Sequence, residues 1–393
     1  MGSRLKKMAL SALVLVAVAG IGFFTFAPAI VEDGQNKTLT DPLKITDEAR
    51  ALTARLTIGD LHSDALLWGR DLRKRSTHGH VDLPRLREGN VAVQVFTTVT
   101  KSPSGLNYDH NSAAARDDIT LLMIAEARPF RTWFNLTERA LDQATRLSRA
   151  AEAAPEELEI LRTSKNLQDV LAKRAGGEKI IGGLLGAEGG HALSGDLGNL
   201  GRLYDAGFRL IGLTHFFDNE LGGSLHGEGD GKGLTDFGKQ VVAEMLTRHM
   251  IIDLAHASPQ TARDVLAIDG TKPIVSHTGI YSHCPVLRNF PDDLMQAIAA
   301  KGGIIGIGFW ADVTCDASPA GVAGAIVAAI NLVGVDHVAL GSDYDGAVTV
   351  AFDSSQIAAL TQALMDKGLD EATIAAVMGG NMMRFLAENL PLE

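Results

Sequence analysis

Eight short apolar segments that alternate with helical patterns place the strongest constraint on the fold of this chain. Near-continuous apolar strands separated by helices are typical of a parallel sheet covered on both faces. Eight such units are the number that a closed (β/α)₈ barrel requires, so we predict an α/β fold of the TIM-like barrel type. A long helical stretch is expected over 110–175, between the second and third strands. The eight segments are TIGDLHSD (57–64), VAVQVFTTV (91–99), KIIGGLLGAEG (179–189), FRLIGLTH (208–215), IIDLAHAS (251–258), PIVSHT (273–278), GIIGIGFW (303–310) and HVALGSDYDG (337–346).

The N-terminus has the layout of an export signal or of a single membrane anchor. Residues 8–31 contain no charge, follow three basic residues and are long enough to span a bilayer. Ala27 and Ala29 form an A-x-A-like cleavage site, which favours a signal peptide. We therefore expect an exported protein, periplasmic or extracellular, that is attached to a membrane only if this segment is retained. The predicted organisation is a signal peptide or membrane anchor at 1–31, a linker at 32–50 and a single (β/α)₈ catalytic domain at 51–393.

Composition excludes several classes of function. The 393 residues include 36 Lys and Arg against 47 Asp and Glu, which is a formal net charge of −11. Because contacts to phosphates need clustered basic residues, we expect no nucleic-acid partner. The two cysteines, Cys284 and Cys315, are too few for a disulfide framework or a Cys-rich zinc site. We predict that both are free, buried thiols.

Ionisable side chains gather at the ends of the predicted strands. In a barrel of this kind the chemistry lies at the carboxyl ends of the strands and in the loops that follow them. Random placement would rarely put four of the twelve histidines there together with three carboxylates. These side chains are His62 and Asp64 on strand 1, Glu188 on strand 3, His215 on strand 4, His256 on strand 5, His277 on strand 6 and Asp343 on strand 8.

Five of these residues are candidate metal ligands. His62 and Asp64 form an H-x-D pair, and residues two apart on a strand project to the same side, where both can reach one ion. Imidazole and carboxylate ligands favour zinc. Glu188 is costly to bury unless it is paired or bound, and its two oxygens suit a bridge between two ions about 3.5–4 Å apart. His256 and His277 could complete the shell of the second ion.

Three residues have roles that the pattern leaves open. His215 is a candidate metal ligand, a candidate hydrogen-bond donor to the transition state, or an anchor for the loop that follows it. Asp343, in GSDYDG, is a candidate general acid/base. Arg288, after strand 6, is either a clamp for a substrate carboxylate or a surface arginine.

Seven motifs occur in order along the chain: LHSD, GAEGGHAL, LTH, DLAHAS, SHTG with the following CPVLRN, GSDYDG and GGNMMRFL. With these motifs the chain resembles the membrane (renal) dipeptidases, which are zinc peptidases with a (β/α)₈ fold, and in particular their microbial members. The resemblance covers essentially the whole chain after the N-terminal segment. It implies a binuclear zinc dipeptidase that hydrolyses the peptide bond of dipeptides through a metal-bridging hydroxide, and it suggests a homodimer.

The resemblance also implies a division of ligands between two zinc ions per chain. His62 and Asp64 would bind one ion, His256 and His277 the other, and Glu188 would bridge both.

The remaining roles follow from the same resemblance. His215 would steady the oxyanion of the tetrahedral intermediate, and Arg288 would grip the C-terminal carboxylate of the dipeptide. Asp343 would handle the proton that passes to the leaving amine and would meet the free amino group of the substrate.

Two other classes of function stay open at this point. Another amidohydrolase-like barrel, such as a deaminase, lactonase or phosphotriesterase, usually has H-x-H after strand 1 and often a carboxylated lysine as the bridge. This chain has H-x-D and Glu188 instead. A non-catalytic barrel with a binding or scaffold role would be expected to have lost a ligand, and metal analysis distinguishes it from an enzyme.

Overall fold

Strands and helices alternate along the chain in the computed structural model, which describes residues 2–229 and 231–392, with part of the side chains of the first helix. The strands are β1 (Lys37–Thr38), β2 (Ile58–Asp60), β3 (Val91–Val99), β4 (Leu158–Leu161), β5 (Ile181–Glu188), β6 (Phe208–Gly212), β7 (Ile251–Asp253), β8 (Val275–Thr278), β9 (Ile305–Ile307), β10 (Val338–Leu340) and β11 (Thr349–Val350). The helices are α1 (Gly2–Gln35), α2 (Asp47–Thr53), α3 (Leu83–Glu88), α4 (Asp118–Ala125), α5 (Leu136–Ala153), α6 (Ser164–Ala175), α7 (Gly198–Asp205), α8 (Asp236–Thr247), α9 (Pro259–Leu266), α10 (Asp292–Ala300), α11 (Ala311–Thr314), α12 (Pro319–Val333), α13 (Ala358–Asp366), α14 (Glu371–Ala375) and α15 (Asn381–Asn389).

A ring of parallel strands forms the centre of the molecule, in the spatial order β7-β6-β5-β3-β2-β10-β9-β8. The two ends of this path are joined by a parallel bridge between Asp253 and Ile274. The backbone N–H of Leu254 also donates to the carbonyl oxygen of Ile274, at 2.9 Å. Each of the eight predicted segments contributes one strand of the ring, so the predicted (β/α)₈ fold is confirmed.

Side-chain caps determine where the loops after the strands end and the helices begin. Ser258, for example, accepts a hydrogen bond from the N–H of Thr261 at 3.0 Å, and Pro259 occupies the first turn of α9.

At the amino end of the barrel, α15 packs against the start of β2. Gly59 lets the methionine side chains of α15 lie close to the strand, because a Cβ there would lie 2.6 Å from Cε of Met383 and would displace the end of that side chain.

The predicted helical stretch over 110–175 contains one strand as well as three helices. β4 pairs in parallel with β5, outside the ring, with Leu158 opposite Ile181. The stretch is mainly helical, as predicted, but the prediction did not include β4. The strand was missed because a segment of four residues such as LEIL, three apolar residues and one glutamate, is too short for periodicity to separate strand from helix.

The two cysteines form a disulfide, so the prediction of free thiols was wrong. Cys284 and Cys315 are 31 residues apart in the sequence, with Cα atoms 5.6 Å apart. The first cysteine follows β8 and the second follows β9, and these two strands are neighbours in the ring. Spatial adjacency of this kind arises from the order of strands in the barrel and is not visible in the spacing of the residues.

The segment that follows the apolar N-terminal helix is attached to the barrel. Asn36 is buried, and its Oδ1 accepts a hydrogen bond from the N–H of Ala347 at 2.8 Å. β1, within the predicted linker, pairs in parallel with β11, so that Lys37 lies opposite Thr349. Among the described helices, none combines the length and the apolar composition that crossing a bilayer requires.

Candidate metal centre and substrate cavity

The seven ionisable residues predicted at the strand ends lie together at the carboxyl end of the barrel. Glu188 is the last residue of β5 and His277 lies within β8, whereas the others follow the strands by two to four residues. The H-x-D segment stays extended beyond β2, because Ser63 forms an isolated parallel bridge with Tyr344. All seven are buried, and their accessible fractions range from 0% for His62 to 7% for Asp343.

The Glu188 carboxylate stands at the centre of this arrangement. Its Oε1 is 3.4 Å from Nε2 of His62, 3.1 Å from Nε2 of His256 and 3.5 Å from Nε2 of His277. Its Oε2 is 3.3 Å from Nε2 of His215. Glu188 therefore belongs to two groups of potential ligand atoms at once. Each group has its ligand atoms within 4.8 Å of one another, and the groups are His62, Asp64 and Glu188, and Glu188, His256 and His277.

A third group of potential ligand atoms, His62, His277 and Asp343, overlaps the other two. Oδ1 of Asp343 is 3.9 Å from Nε2 of His62. The backbone of Asp343 is left-handed, with φ of 60°, a conformation that residues other than glycine seldom adopt. Backbone conformations of this kind cluster at functional sites.

Two residues that the sequence analysis missed orient the histidine rings. Oγ of Ser276 donates to Oδ2 of Asp253 at 2.6 Å, and it lies 3.1 Å from Nδ1 of His62 and 2.8 Å from Nδ1 of His277. Because a hydroxyl has a single proton, both rings must donate their Nδ1–H to it. This leaves Nε2 of each ring directed at the Glu188 carboxylate, as the second shell of a metal site requires.

The donor set fits a pair of divalent cations such as zinc. Nε2 of His256 lies only 2.9 Å from Nε2 of His277, and burial lowers the pKa of both rings well below the usual range. Two neutral rings whose nitrogen atoms converge on a buried carboxylate supply the nitrogen and oxygen ligands that zinc prefers.

His62 differs from these two rings, because its surroundings favour a positive charge. Burial alone would lower the pKa of His62, but the Glu188 and Asp64 carboxylates outweigh it, and the pKa is raised well above the usual range. Burial, with a contribution from Asp64, raises the pKa of Glu188 to about 7. A cation bound beside Glu188 would remove this penalty for ionising the carboxyl group.

His215 lies beside the ligand groups as an uncharged donor. Burial lowers the pKa of its ring to about 3, and its Nδ1 has no partner among the described atoms. The ring lies next to His256, with centroids 4.7 Å apart. A neutral imidazole in this position can donate one hydrogen bond to an oxyanion without carrying a charge.

Arg288 is a buried guanidinium and not a surface arginine. It is 2% exposed, and it donates to the carbonyl oxygens of Ala255 at 2.7 Å and His277 at 2.8 Å. Within the described part of the chain no carboxylate pairs with it, and its Nε has no partner. The geometry therefore leaves a buried positive charge beside the ligand groups with an unsatisfied donor, as a site for an anionic group requires.

A cavity of about 310 Å³ opens onto the Glu188 carboxylate and the Arg288 guanidinium. Tyr108 and Trp310, which the sequence analysis also missed, line it, and Nε1 of Trp310 lies 3.1 Å from the Tyr108 hydroxyl. Trp310 ends the predicted seventh strand, so its place at the carboxyl end could have been inferred. The catalytic face contributes Asp64, Glu188, His215, His256, Arg288 and Asp343 to the lining.

A closed parallel barrel whose strand ends bring histidines and carboxylates together beside a buried arginine defines a metal-dependent hydrolase of the TIM-barrel class. Residues 46–390 match the model of the membrane dipeptidase family, peptidase family M19, and the chain belongs to that family. The resemblance seen in the motifs is thereby confirmed. The family is one of metallo-dipeptidases.

Three known proteins that resemble the chain are a curated relative and two solved structures. "Dipeptidase aclJ" of Aspergillus oryzae is 30% identical over 428 residues, which cover 97% of this chain and 90% of the relative. A metallopeptidase from Rhodobacter sphaeroides, solved with a phosphinate mimic of the dipeptide L-Ala-D-Ala, is 25% identical, with a TM-score of 0.67 over 85% of this chain and 99% of its own. The probable dipeptidase PvdM from Pseudomonas aeruginosa, at 19% identity, shares the fold, with a TM-score of 0.72 over 87% of this chain and 98% of its own.

Proposed function

We propose that this protein is a binuclear zinc dipeptidase that hydrolyses the peptide bond of dipeptides. The observation that carries the proposal is the Glu188 carboxylate, which belongs to two ligand groups at once. His62 and Asp64 would hold one ion, and His256 and His277 the other. The chemistry that a zinc pair supplies when bound at such a site is activation of a water near neutral pH and polarisation of the scissile carbonyl.

The other residues bind and orient the substrate. Arg288 offers its buried guanidinium to the C-terminal carboxylate, which limits the substrate to short peptides and supplies orientation. His215 donates to the oxygen of the scissile carbonyl as negative charge develops on it. Asp343, which lines the cavity beside His62, takes up the proton that the attacking water gives up and passes it to the leaving amine, and it meets the free amino group of the substrate. The Rhodobacter sphaeroides relative, solved with a dipeptide mimic, supports this class of substrate.

A dipeptide library tests the proposal, assayed with zinc, after chelation and after zinc is restored. We expect hydrolysis that chelation abolishes and zinc restores, with two zinc ions per chain in the purified enzyme. A protein without bound metal and without activity would favour the non-catalytic barrel. Hydrolysis of lactones or phosphotriesters in place of dipeptides would favour the other amidohydrolase-like class.

We also propose that the protein is exported and forms a homodimer. Export is supported by the apolar segment at 8–31 and by the Cys284–Cys315 disulfide, because structural disulfides persist in oxidising compartments. The homodimer rests on the family resemblance. Fractionation of cells with N-terminal sequencing tests the first proposal and the fate of the segment, and light scattering after size exclusion tests the second. Full-length protein confined to the cytoplasm, or a monomer at all concentrations, would contradict them.

A further inference from the structure

The end of α1 and the residues after it are tied to the loop that carries Asp343. Glu32 is 3% exposed, and its carboxylate accepts from Nε of Arg70 at 2.5 Å and lies 3.1 Å from Nε2 of His78. Arg70 in turn forms a buried ion pair with Asp345. With the Asn36 hydrogen bond and the pairing of β1 with β11, these contacts fasten residues 32–39 to the catalytic face.

This attachment places two residues of α1 in the wall of the substrate cavity. Val31 and Gln35 line the same cavity as Glu188 and Arg288. Val31 is 43% exposed and stands at the cavity mouth, whereas its neighbour Ile30 is 69% exposed and does not line the cavity. The family model matches from residue 46 onward, so this part of the wall lies outside the portion that the family model covers.

The wall around Val31 is apolar and lies across the barrel from Arg288. Arg288 is bonded to the backbone after β7 and within β8. The apolar residues near Val31 come instead from the loop after β2, from α4, which follows β3, and from the loop after β10; they are Leu67, Trp68, Ile119, Leu122 and Val348. Strands β2 and β3 lie opposite β7 and β8 in the ring, and β10 is the neighbour of β2.

We propose that Val31 and Gln35 form part of the pocket for the N-terminal side chain of the dipeptide and select its size. The inference rests on the proposed dipeptidase function. A dipeptide whose carboxylate pairs with Arg288 and whose peptide bond lies at Glu188 extends its N-terminal residue toward this apolar wall. Cleavage after Ala29 would leave both Val31 and Gln35 in the mature chain, whereas removal of all of residues 1–31 would leave Gln35 alone, so the inference applies to a chain that retains Val31.

The test compares three substrates, alanyl-alanine, leucyl-alanine and alanyl-leucine, with the full-length enzyme. Val31→Trp fills the space at the mouth, and we expect kcat/KM for leucyl-alanine to fall about tenfold or more relative to alanyl-alanine, because a single methylene in an apolar pocket is worth about tenfold or more. The value of kcat/KM for alanyl-leucine relative to alanyl-alanine should stay unchanged. Ile30→Trp is the matched control, which adds the same side chain one residue away and should leave both ratios as in the wild type.

Val31→Ala is a second variant, included in case Val31→Trp fails to fold. It enlarges the pocket, so kcat/KM for leucyl-alanine or for the bulkier tryptophanyl-alanine should rise relative to alanyl-alanine. Unchanged selectivity in both Val31 variants would overturn the inference while leaving the dipeptidase function intact. A change confined to alanyl-leucine would overturn the assignment to the N-terminal side chain. A wild-type enzyme that cleaves none of the dipeptides would overturn the proposed function instead.

Discussion

At the scale of single residues, Glu188 is the position where the proposed metal centre tolerates substitution least. Its one carboxylate belongs to two groups of potential ligand atoms. Glu188→Gln keeps the shape of the side chain but replaces one oxygen with a nitrogen that donates hydrogen bonds. We expect the zinc content to fall below two per chain and kcat/KM for dipeptides to fall at least 100-fold. Elemental analysis and steady-state kinetics measure both, with Glu152→Gln, an exposed residue of α5, as the control. Two ions per chain with full activity in Glu188→Gln would contradict the proposed bridge.

A second prediction at this scale concerns Arg288. Two substrates are compared, so that its recognition of the substrate carboxylate is separated from its role in the fold. Its two bonds to backbone carbonyls mean that any substitution also disturbs the fold locally. We therefore compare a dipeptide with the same dipeptide amide, which lacks the carboxylate. Arg288→Lys should raise KM for the free dipeptide by about 10- to 100-fold, the value of a charged hydrogen bond, and should change KM for the amide little. An equal rise for both substrates would show that Arg288 does not recognise the carboxylate.

At the scale of elements, the barrel brings Ser276 of β8 and Asp253 of β7 together behind the candidate ligands His62 and His277. Ser276→Ala removes the acceptor for Nδ1–H of His62 and His277, so both rings lose their fixed orientation. We expect the zinc affinity to fall about 10- to 100-fold, measured by competition with a chelator. Ser258→Ala, which removes the cap of α9, is the control and should lower stability by about 1 kcal/mol without changing the affinity. Equal zinc affinity in the two variants would contradict the orienting role of Ser276.

The disulfide connects the loops after two neighbouring strands, and its effect on stability belongs to the same scale. Closing a loop of 31 residues stabilises the folded state by roughly 3–4 kcal/mol in the loop-entropy model. We expect the double variant Cys284→Ser with Cys315→Ser to lose stability of this order in chemical unfolding. The wild type in reductant should behave like the variant. Identical unfolding of the oxidised wild type and the variant would show that the disulfide adds nothing.

Elements with a strong apolar pattern could be predicted from sequence, and so could the residues at their ends. The eight barrel strands are buried on both faces, which makes most of them near-continuous apolar runs, and the ends of parallel strands must converge. Ser276 and Asp253 could not be assigned in the same way, because an orienting hydrogen bond depends on side-chain directions in two strands. Asp253, inside the apolar run IIDL, is the one sequence signal from which such a role could have been inferred. The disulfide was missed because it depends on which strands are neighbours.

At the scale of the whole molecule, the segment before the barrel is part of the catalytic face. No periodic pattern predicts this, since residues 32–50 are polar and β1 has only two residues. What fastens the segment is a set of long-range contacts, among which the ion pair of Glu32 with Arg70 spans 38 positions. Long-range pairing of charges leaves no local trace in a single sequence. The attachment is nonetheless testable, because burial raises the pKa of one of its groups, Glu32, to about 7.

Glu32 makes the last prediction, on how the stability of the molecule depends on pH. Burial raises the pKa of Glu32 to about 7, although Arg70 lowers it, and Asp345 and Glu126 add to the rise. The folded state therefore binds more protons than the unfolded chain between pH 4.5 and 7, and the stability contributed by this group is complete below about 4.5 and is lost as the pH rises through 7. Glu32→Gln stays uncharged, so relative to the wild type it should gain stability from pH 5 to pH 8.5, with His78 and Arg70 still facing the side chain. Chemical unfolding at several pH values measures the difference, and Asp33→Asn, the exposed neighbour, is the control, for which we expect no such trend. Parallel pH profiles for the wild type and Glu32→Gln would show that the attachment of this segment to the catalytic face does not depend on the protonation of Glu32.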